Sequence, residues 1–240
     1  MSTQAKTPWT DITLVIDRSS SIAGIRTTLL EGINQFLAAQ AKETGRTRIS
    51  LVRFDDQYEI VWDRIPLSEA LPLKPRDLVP RGSTALYDAI GVTLERTHDY
   101  FAQLAPADRP ERVIVAVFTD GAENSSQRFT HATLQELIGR RRQENDWQIL
   151  FLGASPDVVQ EARDLGIDPR LSIQYEASQA GTSAAFQTLS HSVSTLRSRP
   201  ARRRARPKNP ATATVPPPPD PPPATPPPPS QENPEGSNPR

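Results

Sequence analysis

The chain has 240 residues with 28 basic and 28 acidic side chains, 25 prolines and no cysteine. Set against its proline-rich end, that length leaves material for one folded domain, and the lack of cysteine excludes disulfide frameworks and thiolate metal sites. Charge is unevenly spread: from Arg197 onward there are 8 basic and 3 acidic residues, so the body carries about −5 and the end about +5.

Residues 1–9 read as a short leader, because Met1 to Thr10 contains no apolar core of the kind a secretory signal requires. No later stretch approaches the ~18 to 20 consecutive apolar residues of a membrane span. The expectation is a cytoplasmic protein with a domain over 10–197 and a separate tail over 198–240.

In chain order, Ile12 to Ile16 is the first short apolar run rich in β-branched residues, and Ile49 to Phe54, Val113 to Phe118 and Ile149 to Leu152 are of the same kind. None alternates cleanly, as expected of strands covered on both faces in a parallel sheet. From Ser21 to Lys42, apolar Ile22, Ile25, Leu29, Ile33, Phe36 and Leu37 recur at helical spacing. Tyr58 to Ile65 follows the second strand across the polar link Asp55 to Gln57 and reads as its antiparallel partner. Helices are predicted over Leu86 to Leu104, Thr130 to Asn145, Pro156 to Leu165 and Ala180 to Arg197, and a last strand over Leu171 to Tyr175. Strand and helix in alternation give an α/β fold, a doubly wound and mostly parallel sheet with one antiparallel edge strand.

Beyond Pro200 the chain holds Arg202 to Arg204, Arg206 and Lys208, then the runs Pro216 to Pro219, Pro221 to Pro223 and Pro226 to Pro229. So few apolar groups cannot offset ordering entropy, so this segment is expected to be disordered, its prolines in extended polyproline II. It reads either as a spacer or as a ligand for a polyproline-binding module. Its basic cluster lacks aromatic residues for base stacking, which argues against nucleic acid as the partner.

Ligands of open α/β sheets sit outside the carboxyl ends of the strands. After the first strand comes Asp17-Arg18-Ser19-Ser20-Ser21, after the Val113 run comes Thr119-Asp120-Gly121, and Arg81-Gly82-Ser83-Thr84-Ala85 precedes the helix of Leu86. Three remote loops thus bring carboxylates and hydroxyls toward one edge. A hard, all-oxygen set of this kind suits Mg²⁺ first and Mn²⁺ second. Because Ser and Thr are uncharged, a bound ion keeps positive charge and attracts an outside carboxylate.

These motifs resemble the metal-ion-dependent adhesion site of von Willebrand factor A domains, written Asp-x-Ser-x-Ser, then Thr, then Asp, and matched here by Asp17, Ser19, Ser21, Thr84 and Asp120. The resemblance extends over about residues 10 to 197, with the strands in the family's order. It implies a Rossmann-like fold, Ser19, Ser21 and Thr84 as direct or near-direct ligands, and Asp17 and Asp120 acting directly or through water. It also implies a sixth position open to a Glu or Asp of a partner protein.

Simpler readings stand beside each motif. Ser19 or Ser21 would equally serve as a helix N-cap, and Ser83 competes with Thr84. Glu123 and Asn124 read either as acceptors that orient metal-bound water or as a solvated loop capping the next helix. Asp88 reads as a surface carboxylate, Asp55 and Asp56 as turn residues. An enzyme reading, a metal-dependent hydrolase of phosphate esters, lacks a placed general base, since His98, His131 and His191 all fall on predicted helices. The reading reached is a binding module and not an enzyme, with a scaffold acting through its Pro-rich tail as a further alternative.

Overall fold

The computed structural model describes residues 8–144 and 147–199. The polyproline and basic-tail expectations, and most of the leader, lie outside the described residues. Six strands form one sheet: β1 (Trp9–Asp17), β2 (Arg46–Phe54), β3 (Tyr58–Pro66), β4 (Arg112–Thr119), β5 (Trp147–Gly153) and β6 (Ser172–Gln174). Their order is β3-β2-β1-β4-β5-β6, and every pairing is parallel except that of β2 with edge strand β3. The helices are α1 (Arg26–Lys42), α2 (Leu86–Ala102), α3 (His131–Glu144), α4 (Pro156–Asp164) and α5 (Gln179–Ser198). This is the doubly wound α/β architecture expected from the strand and helix alternation.

The apolar runs of β1 and β4 lack alternation because both faces are covered, and all eight residues of β4 are buried. Ile12, Leu14 and Ile16 face one layer with α1 and α5, while Val15, Val115 and Val117 face the layer of α2, α3 and α4. α1 and α5 meet closely at Gly32, where a Cβ would lie 2.6 Å from the Phe186 ring. No helix among the described residues is long and apolar enough to cross a membrane.

Two features depart from the sequence pattern. The helix predicted from Ser21 begins as a 3₁₀ turn over Ser20–Gly24, and regular α-helix starts at Arg26. The tighter turn keeps Ile22 and Ile25 buried while holding Ser21 at the sheet rim. In β3 the register shifts twice, and Arg64 adopts φ 51° with its amide donating to Ser50 Oγ at 2.9 Å. Such bulges bend and shorten the pairing of an edge strand.

The parallel register brings the strand ends into line. Asp17 pairs with Phe54, Ile16 with Phe118, and Thr119 with Gly153, so the loops that follow β1, β2, β4 and β5 leave from one rim.

Candidate metal centre at the carboxyl rim

β1 ends on Asp17, which is fully buried. Its Oδ1 accepts from the Ser19 amide at 2.7 Å and its Oδ2 from Thr119 Oγ1 at 2.6 Å, which ties the first loop to the end of β4. Ser19 Oγ lies 2.9 Å from Ser21 Oγ, and Ser21 Oγ donates to Asp120 Oδ1 at 2.5 Å. The result is a hydrogen-bonded run from Asp17 through the Ser19 amide and the Ser19 and Ser21 hydroxyls to Asp120. Ser19 opens the 3₁₀ turn without a side-chain capping bond. The hydroxyl of Ser21 crosses to a carboxylate 99 residues away in sequence instead of capping a helix.

Thr84 arrives from the loop before α2. Its amide donates to Asn124 Oδ1 at 2.8 Å and its carbonyl accepts from the Asn124 amide at 3.0 Å. A Cβ on Gly121 would stand 3.1 Å from Thr84 Oγ1 and 3.7 Å from Ser21 Oγ. Both hydroxyls therefore lie against the same side of Gly121, where a side chain would crowd the Thr84 hydroxyl.

Glu123 and Asn124 reach this site through the Thr84 loop. Glu123 Oε2 accepts from the Tyr87 amide at 2.9 Å, in the first turn of α2, and Glu123 Oε1 accepts from the Ser125 and Ser126 amides at 2.9 and 2.7 Å. The helix they serve is α2, behind them in the chain, and not α3, the helix ahead. Asp88 returns the contact, accepting from the amides of Gln127, Arg128 and Phe129. The two carboxylates clamp the Asp120 loop onto α2.

Sequence reasoning missed a set of charges beside the rim. Arg18 is almost wholly buried; its Nε lies 2.8 Å from Asp55 Oδ2, and its Nη1 and Nη2 donate to Glu59 at 3.1 and 2.6 Å. Arg81 adds Nε to Asp55 Oδ2 at 2.7 Å. Asp55 also accepts from the Gln57 amide at 2.7 Å, so it is a turn residue, as expected, and an ionic anchor as well. The hint in the sequence was that Arg18 and Arg81 both sit inside the loop segments singled out at the strand ends. Burial favours a neutral Asp55, but bonds from Arg81 and Gln57 and the Arg18 charge outweigh it and lower its pKa. Hydrogen bonds from Arg18 above all hold Glu59 down to about 2.

The two carboxyls of the oxygen run behave in the opposite way. Burial pushes Asp17 up to about 6, against hydrogen bonds from Thr119 and Ser19, and burial also raises Asp120. Arginine neutralises Asp55, whereas among the described residues no cation is a leading influence on Asp17 or Asp120.

The donor chemistry fits a small hard cation. Adjacent oxygens of an octahedral Mg²⁺ site lie about 2.9 Å apart, √2 times the usual metal–oxygen distance, and the hydroxyls of Ser19 and Ser21 already have that spacing. Among the described residues no three imidazole or carboxylate groups converge, so an ion here would need the hydroxyls. The histidines stand on helices, His98 on α2, His131 at the start of α3 edge-on to Tyr87, and His191 on α5.

No family model matches the sequence, and no curated protein matches it. Solved structures do resemble the fold. Proximal thread matrix protein 1 from the mussel byssus superposes with TM-score 0.55 at 17% identity, over 78% of this chain and 46% of that one. The same mussel protein with a zinc-occupied MIDAS motif gives TM-score 0.55 at 16% identity, over 78% and 46%. The pilus adhesin SpaC of Lactobacillus rhamnosus GG, in an open conformation, gives TM-score 0.59 at 13% identity, over 80% and 31%. The chain spans less than half of each of these proteins. At such identities the likeness is one of fold, and it supports a von Willebrand factor A-like arrangement of sheet and helices.

Proposed function

We propose that this domain is a protein-interaction module that engages an acidic side chain of a partner through a divalent cation held by Asp17, Ser19, Ser21, Thr84 and Asp120. The observation that carries the reading is the hydrogen-bonded run from Asp17 through Ser19 and Ser21 to Asp120, whose serines spend their hydroxyls on each other and on a carboxylate where capping a helix was the simpler use. The mussel neighbour with zinc in its MIDAS motif supports it at the level of fold.

Within this reading Asp17 acts through water, since both its oxygens already accept protein hydrogen bonds and the residue has no exposure. Ser21 and Asp120 are less buried and face outward. With neutral hydroxyls in direct contact, the ion retains charge toward solvent and draws a carboxylate to its outer position. Mg²⁺ or Mn²⁺ suits the octahedral oxygen set, and Zn²⁺ belongs in the comparison because of the mussel protein.

The test is calorimetric titration of Mg²⁺, Mn²⁺ and Zn²⁺ into wild type, Asp17→Ala and Asp120→Ala, with circular dichroism to confirm folding. Wild type should bind one ion, and both variants should lose that heat while remaining folded. Equal heats from all three proteins would refute the site. Metal-dependent turnover of a phosphate ester, abolished by the same substitutions, would replace the binding module with a hydrolase.

A further inference from the structure

The rim where the strands begin, opposite the oxygen run, carries a cavity of about 420 Å³. Its lining draws on five elements of the fold: Arg112 opens β4, Trp147 opens β5, Asp168 and Arg170 precede β6, Arg142 lies near the end of α3 and Arg199 just past the end of α5. Among the described lining residues Asp168 is the one carboxylate, set against four guanidinium groups. That carboxylate is engaged by Arg170, whose Nε and Nη2 donate to it at 3.1 and 2.8 Å. Arg112 is buried and fixed by the carbonyls of Arg197, at 2.6 Å, and Arg199. Arg142 is braced on the Gly166 carbonyl.

Cations gathered around one hollow repel one another, and an anion placed between them removes that repulsion. Guanidinium groups present planar forks of donors matched to phosphoryl and carboxylate oxygens. The excess of three positive charges in the described lining favours a group of high charge density, and a phosphate monoester carries about −1.5 to −2 with three strong acceptors. The volume lies within the range of small-molecule sites, and Trp147, Ile149 and Leu171 give it apolar wall. The size and the wall suit an anion with an organic body better than a bare ion.

We propose that this cavity binds a small phosphoryl-bearing molecule, at a site separate from the Asp17 to Asp120 rim and independent of metal. The basic residues Arg202, Arg203, Arg204, Arg206 and Lys208 follow closely in sequence, so the experiment must separate cavity from tail.

Pyrophosphate serves as the probe, titrated into the full chain in metal-free buffer and followed by calorimetry and by the Trp147 indole resonance. Wild type should show saturable one-to-one binding. Arg142→Ser/Arg170→Ser, both on exposed positions, should weaken it at least about ten-fold. Arg199→Ser, beyond the last helix, should weaken it too and keeps the test valid if the double variant loses stability. Asp120→Ala and a variant with the five tail cations changed to Ser should bind as wild type. Absence of saturable binding, unchanged affinity in the cavity variants, or loss in the tail variant with retention in the cavity variants would each overturn the proposal. Binding of hexaglutamate with no response to pyrophosphate would overturn it in favour of an acidic peptide. Because metal is absent, failure of this site leaves the carboxyl-rim reading untouched, and the reverse holds.

Discussion

Asp11, the third residue of β1, is fully buried, and neither of its carboxylate oxygens has a hydrogen-bond partner. Burial pushes its carboxyl from 3.8 up to about 7, despite the nearby charges of Arg64 and Arg48. The sign follows from proton linkage. Below pH 4 both folded and unfolded chains hold the proton, and the group is neutral to stability. Between pH 4 and 7 the unfolded chain releases it while the folded chain retains it, so stability falls as pH rises, by up to about 1.4 kcal/mol per pH unit. Above pH 7 the loss levels off at roughly 4 kcal/mol. Asp11→Asn removes the titration and keeps the shape. Urea denaturation of both proteins across the pH range isolates the effect, because Asp17, Asp120 and every other titrating group cancel between them. Near pH 5 most of the folded wild type carries a neutral Asp11, and from there to pH 8 the variant should gain about 2 to 3 kcal/mol over wild type. A stability difference that stays constant with pH would refute the argument and mean that Asp11 is hydrated or paired in solution.

Loss of the metal heat in Asp17→Ala and Asp120→Ala, and pyrophosphate binding weakened at least about ten-fold in Arg142→Ser/Arg170→Ser, are the two binding predictions set out above. Asn124→Ala removes the acceptor of the Thr84 amide and should lower Mg²⁺ or Mn²⁺ affinity about 10 to 100-fold, the usual effect of freeing a ligand from its support, with an unchanged circular dichroism spectrum. Gly32→Ala places a methyl group 2.6 Å from the Phe186 ring, and thermal unfolding should show a loss of about 1 to 3 kcal/mol from overpacking between α1 and α5.

The fold was legible because its signals are redundant. Central strands such as Val113 to Phe118 announce burial on both faces by an unbroken apolar run, and α1 and α2 repeat apolar residues at spacings of three and four over several turns. What escaped was local. The 3₁₀ turn at Ser20–Gly24 has the same apolar spacing as the helix it precedes, since Ile22 and Ile25 are buried in either geometry. The first register shift of β3, between Ile65 and Trp62, includes Arg64 at a positive φ, which no glycine in the sequence advertises.

At the rim, the motif spacing identified the oxygen-bearing residues, while the charges that organise them were not visible. Arg18 occupies the variable position of Asp-x-Ser-x-Ser, where a pattern says nothing of the side chain, and Arg81 stands just before Gly82. Their partners Asp55 and Glu59 lie about 40 residues from Arg18 in sequence, and the pairing of β1 with β2 and of β2 with β3 brings them to it. The consequence is a rim with two electrostatic regimes. Asp55 and Glu59 are paired with arginine and fasten the loops, whereas Asp17 and Asp120 on the same edge have, among the described residues, serine and threonine hydroxyls as their side-chain hydrogen-bond partners. A purely structural edge would gain from extending the arginine pairing to those two carboxylates. That they are held without it, buried enough to raise both carboxyls, is the feature that the proposed cation site accounts for.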